Sequence, residues 1–318
     1  MSSREAIGVD LGGTKLATGV VDSQQNVLHT SRESSTGRSE DEVVSAIEQE
    51  LREAMEARPG VVGAGLGIPC TIDRERGVAI NAVNLEITDV PIRDLMRERL
   101  GIPIFIDNDA NCAALAEHRF GAAKGAENAI LLTIGTGIGG GIIVNRQVYR
   151  GTTGAAAELG HVVVDENGPP CQGTCPNNGC VETMASGTAL AREGTAAAGR
   201  RPESTLARAM QGGGISGKVV TDAALAGDEV ALEVVAEAGR HLGVALASLV
   251  NIFDPDVMVI GGGVAAGARD LLVEPAREEM RRRALPPMNR TPVALAELGG
   301  DAGMIGAAQM VLEELAGT

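Results

Sequence analysis

Two stretches of this chain share one plan, and that repetition limits the folds open to it. Residues 6–11 form an apolar run closed by Asp10 and Leu11; Gly12-Gly13-Thr14-Lys15 is a glycine turn, and residues 15–21 leave it as a second strand. Residues 128–144, NAILLTIGTGIGGGIIV, again read strand, glycine turn, strand, with Thr133 standing where the first copy has Asp10. One such turn is an ordinary hairpin feature. Two in matching meanders predict an internal repeat, two related halves facing one cleft. With helices interleaved, the class is α/β, with two lobes. Glycine turns let backbone N–H groups approach an anion closely, and a pair of them points to the phosphates of a nucleoside triphosphate. A carboxylate at Asp10 is costly to bury, so a role is expected of it.

The intervening elements follow from periodicity. Ser39-x-x-Glu42 is a capping box, and Val43, Val44, Ile47, Leu51 and Met55 then recur at helical spacing up to Pro59-Gly60. Residues 61–68 read as a buried strand, 78–85 as an irregular loop over a cleft, 95–100 as a short helix and 102–106 as a strand. Asp107-Asn108-Asp109-Ala110-Asn111 falls where a strand ends and a helix begins, the favoured ligand position in α/β sheets. One of these residues serves as the helix cap, but four polar side chains exceed what a cap needs. Helices are expected at 183–198, 228–253, 271–283 and 302–315, strands at 256–260 and 293–296, and a mobile, glycine-broken connection at 201–218. Gly261-Gly262-Gly263 reads as a third glycine turn, against which a flat base or ribose can lie.

Residues 158–182, ELGHVVVDENGPPCQGTCPNNGCVE, hold three of the five cysteines. His161, Cys171, Cys175 and Cys180 supply one imidazole and three thiolates, the ligand mix of a closed tetrahedral zinc site. Thiolates and imidazole select zinc over hard cations. Four protein ligands leave no open position, so the metal is structural, holding a loop that aims Glu158 and Glu182. The glycines and prolines between the ligands are turn formers. His161 can bind metal through one ring nitrogen and offer the other as a donor. Cys70 and Cys112 read as buried, reduced core residues, and the other histidines as packing or surface residues.

The net charge of −15 argues against nucleic acid or an anionic membrane as partner. With one Tyr, three Phe and no Trp, the core must be aliphatic. No run of 18 apolar residues appears. The start, MSSREAIGVD, has no apolar signal core, which makes the cytoplasm the expected compartment.

The DLGGTK turn, Asp107-Asn108-Asp109, LTIGTGIGGG, ELGH, the cysteine loop ending GCVE, and NIFDPDVMVIGGG together resemble the ROK family (repressors, open reading frames, kinases) over essentially the whole chain. Within it, the bacterial ATP-dependent glucokinases are most similar. The resemblance implies the actin-like ATPase, hexokinase-type fold, with 1–116 plus 302–318 as a smaller lobe and 117–301 as a larger lobe carrying the zinc loop. It implies transfer of the ATP γ-phosphoryl to the 6-hydroxyl of glucose, with Mg2+ and structural Zn2+, in a homodimer or homotetramer. Kinases of fructose, mannose, allose or N-acetylmannosamine, and a non-catalytic sugar sensor, are the alternatives. Asp109 is then the general base. Asn108, Glu158, His161 and Glu182 bind the sugar, and Asp10 acts near magnesium. Gly12, Gly13, Thr14 and Lys15 form the first phosphate loop, Thr133, Gly135, Thr136 and Gly137 the second, and Gly261, Gly262 and Gly263 lie by the adenosine. The family's zinc loop has one residue between its first two cysteines; here three separate Cys171 from Cys175.

Overall fold

The computed structural model describes residues 4–13, 15–82, 85 and 87–317; Thr14, expected in the first phosphate loop, lies outside them. Strands β1 (Glu5–Leu11), β2 (Leu16–Asp22) and β3 (Val27–Glu33) form an antiparallel meander. Helix α1 (Glu40–Ala57) begins where the Ser39 N–H donates to the Glu42 carboxylate at 2.8 Å, and buries Val43, Val44, Ile47 and Leu51. It returns the chain to β4 (Val61–Ile68), parallel to β1. Next come β5 (Thr71–Asp73), β6 (Val78–Ala82) and β7 (Ile87–Val90), then α2 (Ile92–Leu100), β8 (Ile104–Asn108) and α3 (Asp109–Phe120).

The second half opens with β9 (Ala129–Ile134), β10 (Ile138–Val144) and β11 (Gln147–Val148). After the cysteine loop come α4 (Val181–Ala185), α5 (Gly187–Arg200), α6 (Thr205–Gly212), α7 (Gly217–Leu225) and α8 (Glu229–Phe253). Then follow β12 (Val257–Gly261), α9 (Gly262–Ala268), α10 (Asp270–Arg283), β13 (Val293–Leu295) and α11 (Ala302–Glu314).

The two five-stranded sheets are built alike. One runs β3-β2-β1-β4-β8 and the other β11-β10-β9-β12-β13. In each, the central strand pairs antiparallel with its hairpin partner and parallel with the fourth strand. The repeat read from the glycine turns is present in the topology.

Three expectations need correction. Residues 78–85 do not form only a loop: β5, β6 and β7 make a small antiparallel sheet. The connection at 201–218 contains α6 and the start of α7, each capped by a serine; Ser204 Oγ accepts from Ala207 N at 3.1 Å and Ser216 Oγ from Val219 N at 3.2 Å. Gly261–Gly263, expected as a third glycine turn, instead closes β12 and opens α9 directly.

The core is aliphatic, as the composition requires, and each fully buried Leu or Ile contributes about 1.5–3 kcal/mol. Helix α11 crosses the first sheet at backbone contact: a Cβ on Gly65 of β4 would lie 2.0 Å from the Ala307 carbonyl oxygen. Small residues along α11 thus hold α3 and the first sheet together, fixing the β8–α3 corner. Among the described residues, no helix is long and apolar enough to cross a membrane.

Candidate active site and metal centre

Asn108 ends β8 and caps α3, so Asp109 occupies the helix's first position. The Asn108 Oδ1 accepts from the N–H groups of Ala110 (2.9 Å) and Asn111 (3.2 Å), and its Nδ2 donates to the Cys70 carbonyl at 3.3 Å. Asn108 is therefore the cap among the four polar residues, with a second amide N–H to offer. Burial pushes the Asp109 carboxyl up to about 7; the charges of Asp10 and Glu158 add to the rise, while the N–H groups of Ala110 and Asp109 oppose it. Burial also raises Glu158, with His161 opposing and Glu182 adding. Asp10, Asp109, Glu158, His161 and Glu182 thus share one electrostatic neighbourhood. Cys70 borders it: burial and then the Asp109 charge push its thiol up to about 12, so it stays neutral.

The first glycine turn is tight, with Gly12 N donating to Lys15 O at 2.7 Å. Ser35 Oγ donates to the Gly12 carbonyl at 2.6 Å. The Lys15 ammonium donates to the Gly300 carbonyl at 3.0 Å, so it braces the turn against the approach to α11. Asp10 is raised to about 6, first by burial, with Lys15 opposing and Asp301 adding. A partly desolvated carboxylate whose nearest ammonium is engaged elsewhere, with a second acid close by, suits a hard divalent cation and its waters.

The second turn is held differently. Gly135 N donates to Gly137 O at 2.9 Å, and Glu182 Oε2 accepts from Ile138 N at 2.7 Å. A Cβ on Gly137 would lie 2.3 Å from that same oxygen, so a side chain here would push the Glu182 carboxylate off the Ile138 N–H. Gly187 N donates to Gly135 O at 2.8 Å, and Thr188 Oγ1 to Thr136 O at 2.9 Å. These clamps from the α4–α5 region were not foreseen; the paired Gly187-Thr188 after a serine is too common a helix start to signal them. The third glycine segment abuts the second turn. Gly262 has φ +87°, and a Cβ there would lie 2.4 Å from Ile134 O, whereas Gly263 faces open space. Packing against β9 dictates the first of these glycines, and only Gly263 leaves a face for a ligand.

In the cysteine loop, ligand atoms of His161, Cys171, Cys175 and Cys180 all lie within 4.8 Å of one another. Cys171 Sγ is 3.4 Å from His161 Nδ1, and Cys175 Sγ is 3.9 Å from Cys180 Sγ. A tetrahedron with Zn–S near 2.3 Å and Zn–N near 2.0–2.1 Å has S···S edges of about 3.8 Å and S···N edges of about 3.5 Å. The three residues between Cys171 and Cys175 close into a turn, with Gly173 at φ +62° and Cys175 N donating to Gln172 O at 3.4 Å. The longer spacing therefore still converges the sulfurs. Burial, with Cys171 and Cys175 alongside, pushes the Cys180 thiol up to about 12; burial also raises Cys171, while the Asn177 N–H lowers Cys175. Thiols this close ionise together only against a cation, so the donor set fits zinc.

The fold and site define an α/β protein with two glycine turns in matching sheets, a buried carboxylate at a strand–helix corner, and a convergent Cys3His donor set. The ROK family profile matches residues 6–314, and the chain belongs to the ROK family. It is 36% identical over 322 residues to a glucokinase of Halalkalibacterium halodurans, covering 99% of this chain and 97% of that one. It is 38% identical over 319 residues to a glucokinase of Streptomyces coelicolor, covering 96% of this chain and 97% of that one. Among solved structures, a ROK family glucokinase from Streptomyces griseus in complex with glucose and AMPPNP aligns with a TM-score of 0.86 and 38% identity, over 96% of this chain and 98% of that one. The fold is the hexokinase-like sugar kinase fold of that family.

Proposed function

We propose that this chain is an ATP-dependent glucokinase that transfers the γ-phosphoryl group to the 6-hydroxyl of glucose. Full-length similarity to glucokinases supports the activity. The observation that carries the chemistry is Asp109, a carboxyl raised to about 7 at the mouth of α3. A base poised near the operating pH takes the hydroxyl proton as the O6–Pγ bond forms and the bond from Pγ to the bridging oxygen of ADP breaks.

Glu158, His161 and Glu182 would accept and donate hydrogen bonds around the ring, since a carboxylate can bind two neighbouring hydroxyls. His161 would do so through Nε2, because Nδ1 faces the sulfurs. The two glycine turns would hold the phosphates through backbone N–H groups, and Gly263 would lie by the adenosine. Asp10 would hold waters of magnesium; when bound, that ion neutralises charge on the transferring phosphoryl group. Cys171, Cys175, Cys180 and His161 would hold zinc as a structural brace. The two sheets would belong to lobes of 1–116 plus 302–318 and 117–301, closing over the sugar to exclude water.

The test is Asp109→Asn. Glucose binding by calorimetry should persist, while turnover in a coupled ADP assay should fall by about 10²–10⁴-fold. Turnover near that of the parent enzyme would reject the assigned base. The same assay across a panel of hexoses sets the sugar.

A further inference from the structure

The buried carboxylate beside the base, Asp107, takes no part in the chemistry above, yet it is 3% exposed and heavily engaged. Its Oδ1 accepts from the backbone N–H of Asn108 at 2.8 Å and from Asn111 Nδ2 at 3.0 Å. Its Oδ2 accepts from Arg150 Nε at 2.7 Å, and Arg74 Nε stands at 3.9 Å. Asn108 and Asn111 flank Asp109 on either side, so one carboxylate grips both sides of the base. The buried Asn111 Oδ1 finds no partner among the described residues, which leaves donation to Asp107 as the bond that orients that amide.

Arg150 reaches this corner from the other sheet. It follows β11, where Tyr149 N donates to Ile142 O of β10 at 2.8 Å and Arg150 Nη1 donates to Val148 O at 3.3 Å. Its guanidinium is thus held by the second sheet, while Asp107 is the next-to-last residue of β8 in the first. Arg74 is a weaker partner for Asp107: its Nη2 pairs with Glu314 at 2.7 Å and its Nε donates to Ile106 O at 3.3 Å.

We propose that Arg150 is a positioning residue for phosphoryl transfer: through Asp107 it sets the Asn108–Asp109 corner, and it does so from the opposite sheet. The angle at which Asp109 meets the hydroxyl then depends on how the two sheets stand to each other. This rests on Asp109 being the base. A misplacement on the scale of an ångström costs up to about 100-fold in rate.

The experiment is a cycle of Arg150→Met, Asp109→Asn and the double variant, in the full chain, with kcat, both KM values, glucose binding and Tm measured. Arg150→Met should lower kcat by about 10–100-fold with KM for ATP within about twofold. Arg150→Lys should recover part of the loss, and Arg74→Met should leave kcat within about twofold. In the Asp109→Asn background, Arg150→Met should cost almost nothing further, because it acts through the group already removed. A purely structural ion pair would lower Tm and leave kcat per folded molecule unchanged, or would multiply its loss onto Asp109→Asn; either result overturns the proposal. If Arg150→Met does not fold, Asp107→Asn, which keeps Oδ1 as acceptor, replaces it under the same criteria. Loss of turnover in Asp109→Asn with none in Arg150→Met defeats the positioning role alone. Full turnover in Asp109→Asn defeats the functional reading itself.

Discussion

The two glycine turns occupy the same place in matching sheets but are braced by different means. The first, between β1 and β2, is held by side chains of its own neighbourhood: Ser35 on the Gly12 carbonyl and Lys15 on the Gly300 carbonyl. The second, between β9 and β10, is hung on the region after the cysteine loop. Glu182, Gly187 and Thr188 bond to Ile138, Gly135 and Thr136. Glu182 is two residues beyond Cys180, a proposed zinc ligand, so what fixes the cysteine loop bears on the second turn. The difference teaches that topology repeats while support does not. In this molecule the cysteine loop, proposed to hold zinc, is tied through Glu182 to one of two topologically matched glycine turns.

The strongest way to break that comparison is to remove one of the proposed zinc ligands. Cys180→Ser should lower Tm by roughly 5–10 °C. It should also lower kcat/KM by about 10–100-fold, the range for disturbing a metal site's support. Part of that loss should appear as weaker nucleotide binding, measured with a non-hydrolysable ATP analogue. Collapse of glucose binding with nucleotide affinity untouched would show that the second turn stands without the cysteine loop.

A finer test compares the turns by adding one methyl group to each. On Gly137 a Cβ meets Glu182 Oε2 at 2.3 Å, whereas on Gly12 it meets Lys15 O at an ordinary 3.4 Å. Gly137→Ala should therefore cost about 1–3 kcal/mol in urea unfolding, the usual range for overpacking. It should also speed hydrogen exchange at the Ile138 amide. Gly12→Ala should stay within about 1 kcal/mol of the parent protein, as Gly-to-Ala changes at compatible positions do. Equal losses at both sites would mean the Glu182 clamp is not what distinguishes them.

Much of this was legible before any coordinates. The doubled meander could be read because a glycine turn between two apolar runs is a local signal. The cysteine loop could be read because its donors and turn formers lie within one short stretch. The small sheet of β5, β6 and β7 could not: its strands have three to five residues and are recognisable only by whom they pair with. Helices α6 and α7 hid behind the Gly212–Gly214 run, although Ser204 and Ser216 at their starts were usable signals. The cap role of Asn108 was foreseen without its residue being singled out. The tie from Glu182 to Ile138 and that from Arg150 to Asp107 join residues 44 and 43 positions apart, a distance at which residue type alone names no partner.

The smallest expected effect separates the turns by charge. Asp10 enters the first turn where Thr133 enters the second, so only the first half carries a raised carboxyl at that place. The sign follows from proton binding: a folded-state value of about 6 against an ordinary 3.8 means the native chain keeps a proton that the unfolded chain has lost. Stability from this group therefore falls as pH rises from about 3.8 to about 6, and the deficit is constant above that. Asp109, raised to about 7, extends the same fall by about one more unit. Asp10→Asn makes the first entry uncharged like the second. Without nucleotide or magnesium, it should raise Tm at pH 8 by roughly 2–6 °C. At pH 4.5, where the native carboxyl is already neutral, the gain should shrink to within about a degree or two. A gain of the same size at both pH values would show that the substitution acts through packing against Gly303, whose missing side chain makes room for the Asp10 carboxyl, rather than through its charge.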